Sequence, residues 1–257
     1  MPTREVRRLV VADAIEEIHR RSRGVYGKRR IRAALLEEHE MIVNHKLVEA
    51  IMRERGMSGL PRPRRRKPGL LGVETPEDLV QRRFTADGPN ELWFTDITEH
   101  PARDGKVYCC AILDGFSKKI VARAFSTVAD TALVNNAVNM AVRERQRAGT
   151  TVLHADHGSQ FTSWSFGENL RRHNLLESLG TVGDCFDNAV MESFWGRLQT
   201  ELLDTHKWST TLELTVAMAD YIDNFYNLHR RHSYLGQSSP SEYETLWNEV
   251  QSSPQLS

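Results

Sequence analysis

The chain has 257 residues, with 34 Lys+Arg balanced by 34 Asp+Glu, enough for one medium domain with smaller appendages. No apolar run approaches the ~18 residues of a membrane-spanning helix, and the start Met1-Pro2-Thr3-Arg4-Glu5 lacks the basic, apolar, small order of a signal peptide, so a cytoplasmic protein without a membrane role is expected. The three cysteines, Cys109, Cys110 and Cys185, offer no C-x-x-C spacing and read as reduced core thiols rather than zinc ligands or disulfides. The neutral total conceals an asymmetry: residues 1–70 hold 18 Lys+Arg against 9 Asp+Glu, leaving 16 against 25 for the remainder. A basic head suits a polyanion, and an acidic body suits metal or simply solvent.

Between Arg8 and Gly56 apolar residues recur at helical spacing: Val11, Ile15 and Ile18, then Ile31, Leu35 and Leu36, then Leu47, Ile51 and Met52. Three short helices are expected, the third capped by Asn44. Lys28, Arg29 and Arg30 open the second helix and Lys46 the third, where cations beside free backbone N–H groups can grip phosphates. The plain alternative is a solvated face. Pro61 to Gly69 then combines proline stiffness with five positive charges, among them Arg64, Arg65 and Arg66, and reads as an exposed linker.

Beyond it, Leu92 to Thr98, Val107 to Leu113 and Ile120 to Phe125 are rich in β-branched and aromatic residues. The turn sequences Arg103-Asp104-Gly105-Lys106 and Asp114-Gly115-Phe116-Ser117 join them, so an antiparallel meander is expected. A helix over 131–147, a strand over 151–155, a helix over 163–173, a strand over 175–179 and a helix over 188–203 follow. Strands first and alternation afterwards indicate an α/β fold with a mixed sheet and helices on both faces. A last helix over 212–228 leads into a basic, aromatic tail and then polar residues that read as frayed. The expected division is therefore a helical module at 1–60, a linker at 61–85, a core at 86–208, and a helix with a basic tail at 209–257.

Three carboxylates stand out in the core. Asp96 sits in a strand between apolar neighbours, Asp156 directly follows a strand, and Glu192 lies one turn into a helix, with 35 residues between the last two. A lone strand Asp is as readily explained by a hydrogen bond or salt bridge as by catalysis. Two further acids, one at a strand's carboxyl end where α/β sheets place ligands, shift the balance. Three hard oxygen donors are enough to hold a pair of Mg²⁺ or Mn²⁺ ions, the arrangement that serves in-line phosphoryl substitution. Asn188, Glu192, Trp195 and Gln199 share one helix face, and Asn188 suits capping as well as orientation of Glu192.

Trp93-Phe94-Thr95-Asp96-Ile97-Thr98, His154-Ala155-Asp156-His157-Gly158-Ser159-Gln160-Phe161 and Asp187-Asn188-Ala189-Val190-Met191-Glu192-Ser193-Phe194 resemble the signature blocks of bacterial insertion-sequence transposases with a retroviral-integrase-like core. More narrowly, they resemble the downstream-frame product of the insertion-sequence-three group, over nearly the whole chain. The resemblance implies an RNase H-like core behind a helix-turn-helix module, two divalent metals at Asp96, Asp156 and Glu192, and DNA cleavage followed by strand transfer. It also implies DNA partners (terminal inverted repeats and target), a homo-oligomer, and an upstream-frame product as fusion or partner. Relatives often carry Lys or Arg seven residues after the glutamate; here that position is Gln199, which leaves a charged DNA contact open.

His157, Gln160 and Asn188 are candidate DNA contacts within the blocks, and Arg230 and Arg231 in the tail, where a helix C-terminal dipole is the plain alternative. His154 and His157 flank Asp156 in the manner of metallo-β-lactamase-like zinc sites, yet Val152 stands where the first histidine belongs. Two other functions remain: a DNA-binding regulator or relic without catalysis, and a structure-selective nuclease of the same fold.

Overall fold

The computed structural model describes residues 3–60, 86–179 and 189–252, so Arg64, Arg65, Arg66 and Asn188 lie outside the described residues. The chain forms two compact units.

The first is helical: α1 (Thr3–Arg21), α2 (Lys28–His39) and α3 (His45–Glu54). Their apolar stripes meet at Ile15, Ile18, Ile31, Leu35, Val48 and Ile51, all of them buried. Asn44 caps α3, its side chain accepting the Lys46 N–H at 2.9 Å, a contact typically worth ~1 kcal/mol. Beyond α3 the chain returns to Gly27: a Cβ on Gly59 would lie 2.3 Å from the Gly27 nitrogen, so only glycine permits the approach.

His229–Ser239 belongs to this same unit, which departs from the expected C-terminal tail. The buried Tyr26 hydroxyl donates to the His229 carbonyl at 2.6 Å and accepts the Arg231 N–H at 2.8 Å. Burial pushes the Tyr26 phenol above its ordinary value, against the pull of Arg231 and Arg230, so it remains a neutral donor. Arg231 pairs through Nη2 with Glu38 at 2.8 Å and through Nη1 with Glu37. Arg230 and Arg231, candidate DNA contacts of the basic tail, are only 2% and 4% exposed. Two acids on α2 make it possible to bury Arg231, because a guanidinium enters an interior only with its charge and donors matched.

The second unit is built on a five-stranded mixed sheet, ordered β3-β2-β1-β4-β5. β1 (Leu92–Ala102), β2 (Gly105–Asp114) and β3 (Ile120–Ser126) form the antiparallel meander. After α4 (Thr131–Glu144), β4 (Thr151–Ala155) joins β1 in parallel, and after α5 (Trp164–Arg172), β5 (Leu175–Leu179) joins β4 in parallel. Alternation along β1 sorts its side chains: Trp93 and Ile97 pack into an apolar cluster with Leu133, Val138, Phe166 and Leu170 from α4 and α5. Phe94, Asp96, Thr98 and His100 therefore face the opposite side.

α6 (Ala189–Glu201) and α7 (Thr211–Asp220) follow. The helix expected over 212–228 changes winding within its length, α7 passing into a π-helical turn at Tyr221–Asn227. Asn227 there accepts the Ile120 N–H and donates to the Ile120 carbonyl, both at 2.9 Å, satisfying the start of edge strand β3. The expected tail holds a further helix, α8 (Pro240–Ser252), and residues 253–257 at its end lie outside the described residues. Proline at its first turn suits a helix start, Tyr243 and Trp247 pack on Phe116 with ring centroids 5.1 and 5.7 Å away, and the buried Glu244 receives Arg145 through two bonds of 2.7 and 2.8 Å. Cys109 and Cys110 are fully buried, and burial raises the Cys110 thiol to about 12, leaving a small apolar filler rather than a nucleophile.

Candidate active site

Asp96 is half-buried on β1, on the sheet face opposite α4 and α5. Both carboxylate oxygens have donors: the Ile97 N–H reaches Oδ1 at 2.8 Å and the Trp195 indole N–H reaches Oδ2 at 2.9 Å. Two charge-assisted bonds fix the plane of the carboxylate while leaving lone pairs on each oxygen.

Asp156 immediately follows β4 and is exposed. Its relation to Asp96 comes from the register of the parallel pair: Leu92 lies opposite Val152, Trp93 opposite Leu153 and Phe94 opposite His154. Asp96 and Asp156 each follow the last of these pairs, Phe94 and His154, by two residues, on neighbouring segments of the sheet. The Gly158 N–H holds Asp156 Oδ1 at 2.9 Å. A Cβ at Gly158 would come within 3.0 Å of that oxygen, so the turn tolerates a side chain poorly.

Glu192 is exposed in the first turn of α6. Met191, Phe194 and Leu198 bury the inner stripe of that helix, and Trp195, three residues after Glu192, reaches Asp96. The indole bond therefore fastens the helix carrying the third acid to the strand carrying the first. Sequence spacing placed Trp195 on the face of Glu192; its partner depends on how α6 crosses the sheet, which spacing does not reveal. Among the described residues, no group of three or more His, Cys, Asp or Glu side chains is gathered so as to hold a metal ion. The donor set is nonetheless all hard carboxylate oxygen, which fits Mg²⁺ or Mn²⁺ and not a thiolate-loving ion.

The remaining candidates separate into engaged and free-standing groups. Gln160 is half-buried and donates to the Ala129 carbonyl at 2.9 Å, bracing the loop after Asp156. His157 is exposed. His154 is buried, bonded to Ser178 at 3.0 Å and edge-on to Phe94, so its role is in packing. In the helical unit, Lys28 reaches Glu49 at 2.8 Å, Arg30 lies over the Tyr26 ring at 5.7 Å, and Arg29 and Lys46 are exposed. Gln199 is exposed and donates to Asp204.

A mixed sheet with acids on one strand, at the end of its parallel neighbour and on the following helix, behind a three-helix head, is the organisation of an integrase-core protein. The integrase core domain family matches residues 86–185, a second family of the same description matches residues 175–240, and the HTH-like domain family matches residues 6–67. The chain belongs to the bacterial insertion-sequence transposases. It is 32% identical over 252 residues to the protein designated as transposase for insertion sequence element IS986/IS6110 in Mycobacterium tuberculosis, covering 95% of this chain and 90% of that one. It is 30% identical to the transposase for insertion sequence element IS904 of Lactococcus lactis, covering 93% and 95%. The fold is shared with a chain of the simian T-cell lymphotropic virus intasome, at a TM-score of 0.51 and 16% identity, covering 88% of this chain and 72% of that one. Among the described residues, no helix is long and apolar enough to cross a membrane.

Proposed function

We propose that this transposase cuts DNA at the ends of its element and joins those ends to target DNA, using Asp96, Asp156 and Glu192 to hold two divalent cations, Mg²⁺ or Mn²⁺. The observation that supports the reading is the Trp195 indole bond, which ties the helix of Glu192 to Asp96 on β1, the strand whose parallel neighbour β4 leads directly into Asp156. Bound divalent cations acidify an attacking hydroxyl and offset charge on the departing oxygen. The protein's own part is alignment. Ile97 and Trp195 fix Asp96, Gly158 fixes Asp156, and α6 carries Glu192 on a rigid element, so that the ligands need little reordering when DNA arrives.

In the first step water adds to the phosphorus at the element boundary and the bond to the 3′ oxygen breaks, that oxygen leaving as a hydroxyl. The new 3′-hydroxyl then attacks a target phosphodiester in line, expelling a second 3′ oxygen, so one phosphodiester replaces another and no external energy source is required. Lys28, Arg29, Arg30 and Lys46, with Arg64, Arg65 and Arg66 of the linker, supply cations for the element end, and His157 stands exposed beside Asp156. Two ends must be held together, which calls for a homo-oligomer in the cytoplasm, with an upstream-frame product as fusion or partner.

Glu192→Gln removes one ligand charge at an exposed position, and should abolish Mg²⁺-dependent cleavage and joining while leaving end binding within about twofold of wild type. Turnover retained in that variant overturns the reading. Trp195→Phe keeps the ring and loses only the N–H; it should raise the Mg²⁺ concentration needed for half-maximal cleavage and weaken Mn²⁺ binding measured calorimetrically. A change in thermal stability without a change in either metal titration would assign the indole to packing alone.

A further inference from the structure

Two rows of residues run side by side away from the acids. On β1, Asp96, Thr98 and His100 alternate onto one face, and the Thr98 hydroxyl meets His100 Nε2 at 3.0 Å. On α6, Glu192, Trp195 and Gln199 follow one another along a single stripe, with Trp195 bonded across to Asp96. Both rows end at the same cavity, of about 540 Å³, whose walls include His100, Arg103, Gln199, His206 and Lys207 and, among the described residues, no carboxylate. Leu203 and Trp208 give it an apolar floor.

Among the described residues Arg103 and Lys207 are exposed and in no ion pair, like Arg29 and Lys46 of the helical unit. The acids close to them in sequence have partners of their own, Glu99 pairing with Lys106 at 2.6 Å. Asp104 accepts the Thr211 N–H at 2.7 Å at the start of α7, and Asp204 accepts the Gln199 amide. Unpaired cations beside a neutral amide, over an apolar floor that would take a sugar, describe a site for a phosphodiester. From Glu192 to Gln199 is seven helical residues, roughly 10 Å, and a B-form strand advances about 3.4 Å per phosphate.

We propose that this cavity holds a backbone phosphate of the strand being cut, about three nucleotide steps from the bond that breaks, with Arg103 and Lys207 as its counter-charges and Gln199 as a neutral donor. The proposal rests on the strand-cutting reading above and assigns a track for the DNA beyond the acids. It also accounts for an uncharged residue at Gln199: the positive charge stands on the opposite walls of the cavity.

The test uses the full chain and short duplexes bearing the terminal sequences that bracket its reading frame, with a neutral methylphosphonate placed singly at each position of either strand. Wild type should lose affinity when the substitution falls about three steps from the cut, and the Arg103→Ala/Lys207→Ala double variant should be indifferent to it. In a salt series the double variant's log affinity should fall less steeply, by about 0.9 in slope for the one lost phosphate contact. The R103K/K207R variant should restore both behaviours. An unchanged slope in the double alanine variant, or the same methylphosphonate profile as wild type, overturns the proposal. A chain that cuts and joins but shows no slope change loses this site alone. One that never cuts, yet shows the slope change, loses the strand-cutting reading and keeps a phosphate contact.

Discussion

The helical unit and the sheet unit each take one piece of the C-terminal quarter, and each fastens it with a buried charge. In the helical unit Arg231 enters between Glu37 and Glu38. In the sheet unit Glu244 of α8 enters among Arg145, Ser117 and Lys119. The signs are reversed and the device is the same. The comparison teaches that a cation's place in the sequence does not assign its surroundings: Arg231 is buried between two acids, while Arg103 and Lys207 are exposed at a cavity wall.

The largest effect is expected at Glu244. Glu244→Ala leaves Arg145, itself largely buried, without its bidentate partner, and breaking a buried pair from one side costs about 3–5 kcal/mol. Burial pushes the Glu244 carboxyl up, but the Arg145, Ser117 and Lys119 contacts outweigh it and hold it below its ordinary value of 4.5. A depressed folded value means the pair stabilises fully above that ordinary value and loses its contribution as pH falls through the folded one. Denaturant unfolding should therefore weaken in wild type below about pH 4.5, and Glu244→Gln should lack that acid-linked component. An identical acid profile in the two proteins would remove Glu244 as its source.

Arg231→Ala comes next. Glu37 and Glu38 are partly exposed and can rehydrate, so the loss is nearer the ~1.5–3 kcal/mol of charged hydrogen bonds. Hydrogen exchange should quicken in α1–α3 and in His229–Ser239 while the β-sheet amides keep their protection. Equal loss in both places would contradict the assignment of this segment to the helical unit.

The elements and the acids were legible in the sequence because each rests on a local signal. Apolar spacing marked α1 to α3, Asn44 announced its cap, and the motif blocks around Asp96, Asp156 and Glu192 supplied the candidate acids. What stayed hidden depends on partners far along the chain. Arg231 and Glu38 are 193 residues apart, and no composition count pairs them. The Trp195 bond to Asp96 spans 99 residues and exists only because α6 crosses β1 at that point. α8 was within reach: Pro240 followed by Tyr243 and Trp247 is a helix start with an aromatic face, but its Ser, Glu and Asn content reads as polar tail until Arg145 is seen opposite Glu244.

The smallest effect on stability, and the sharpest contrast with Arg231, belongs to Lys28. Its pair with Glu49 is exposed, and such pairs contribute little because solvent already screens the charges. Lys28→Ala should leave the melting temperature unchanged. It should weaken binding to element ends and to unrelated duplexes alike, reducing the slope of log affinity against log salt by about 0.9 for one phosphate contact. Arg231→Ala should do the reverse, lowering stability while leaving the salt slope of the protein that remains folded as in wild type. If the two variants exchanged these signatures, the division of the helical unit's cations into inner fasteners and outer DNA contacts would be wrong, and Arg231 would return as a nucleic-acid ligand.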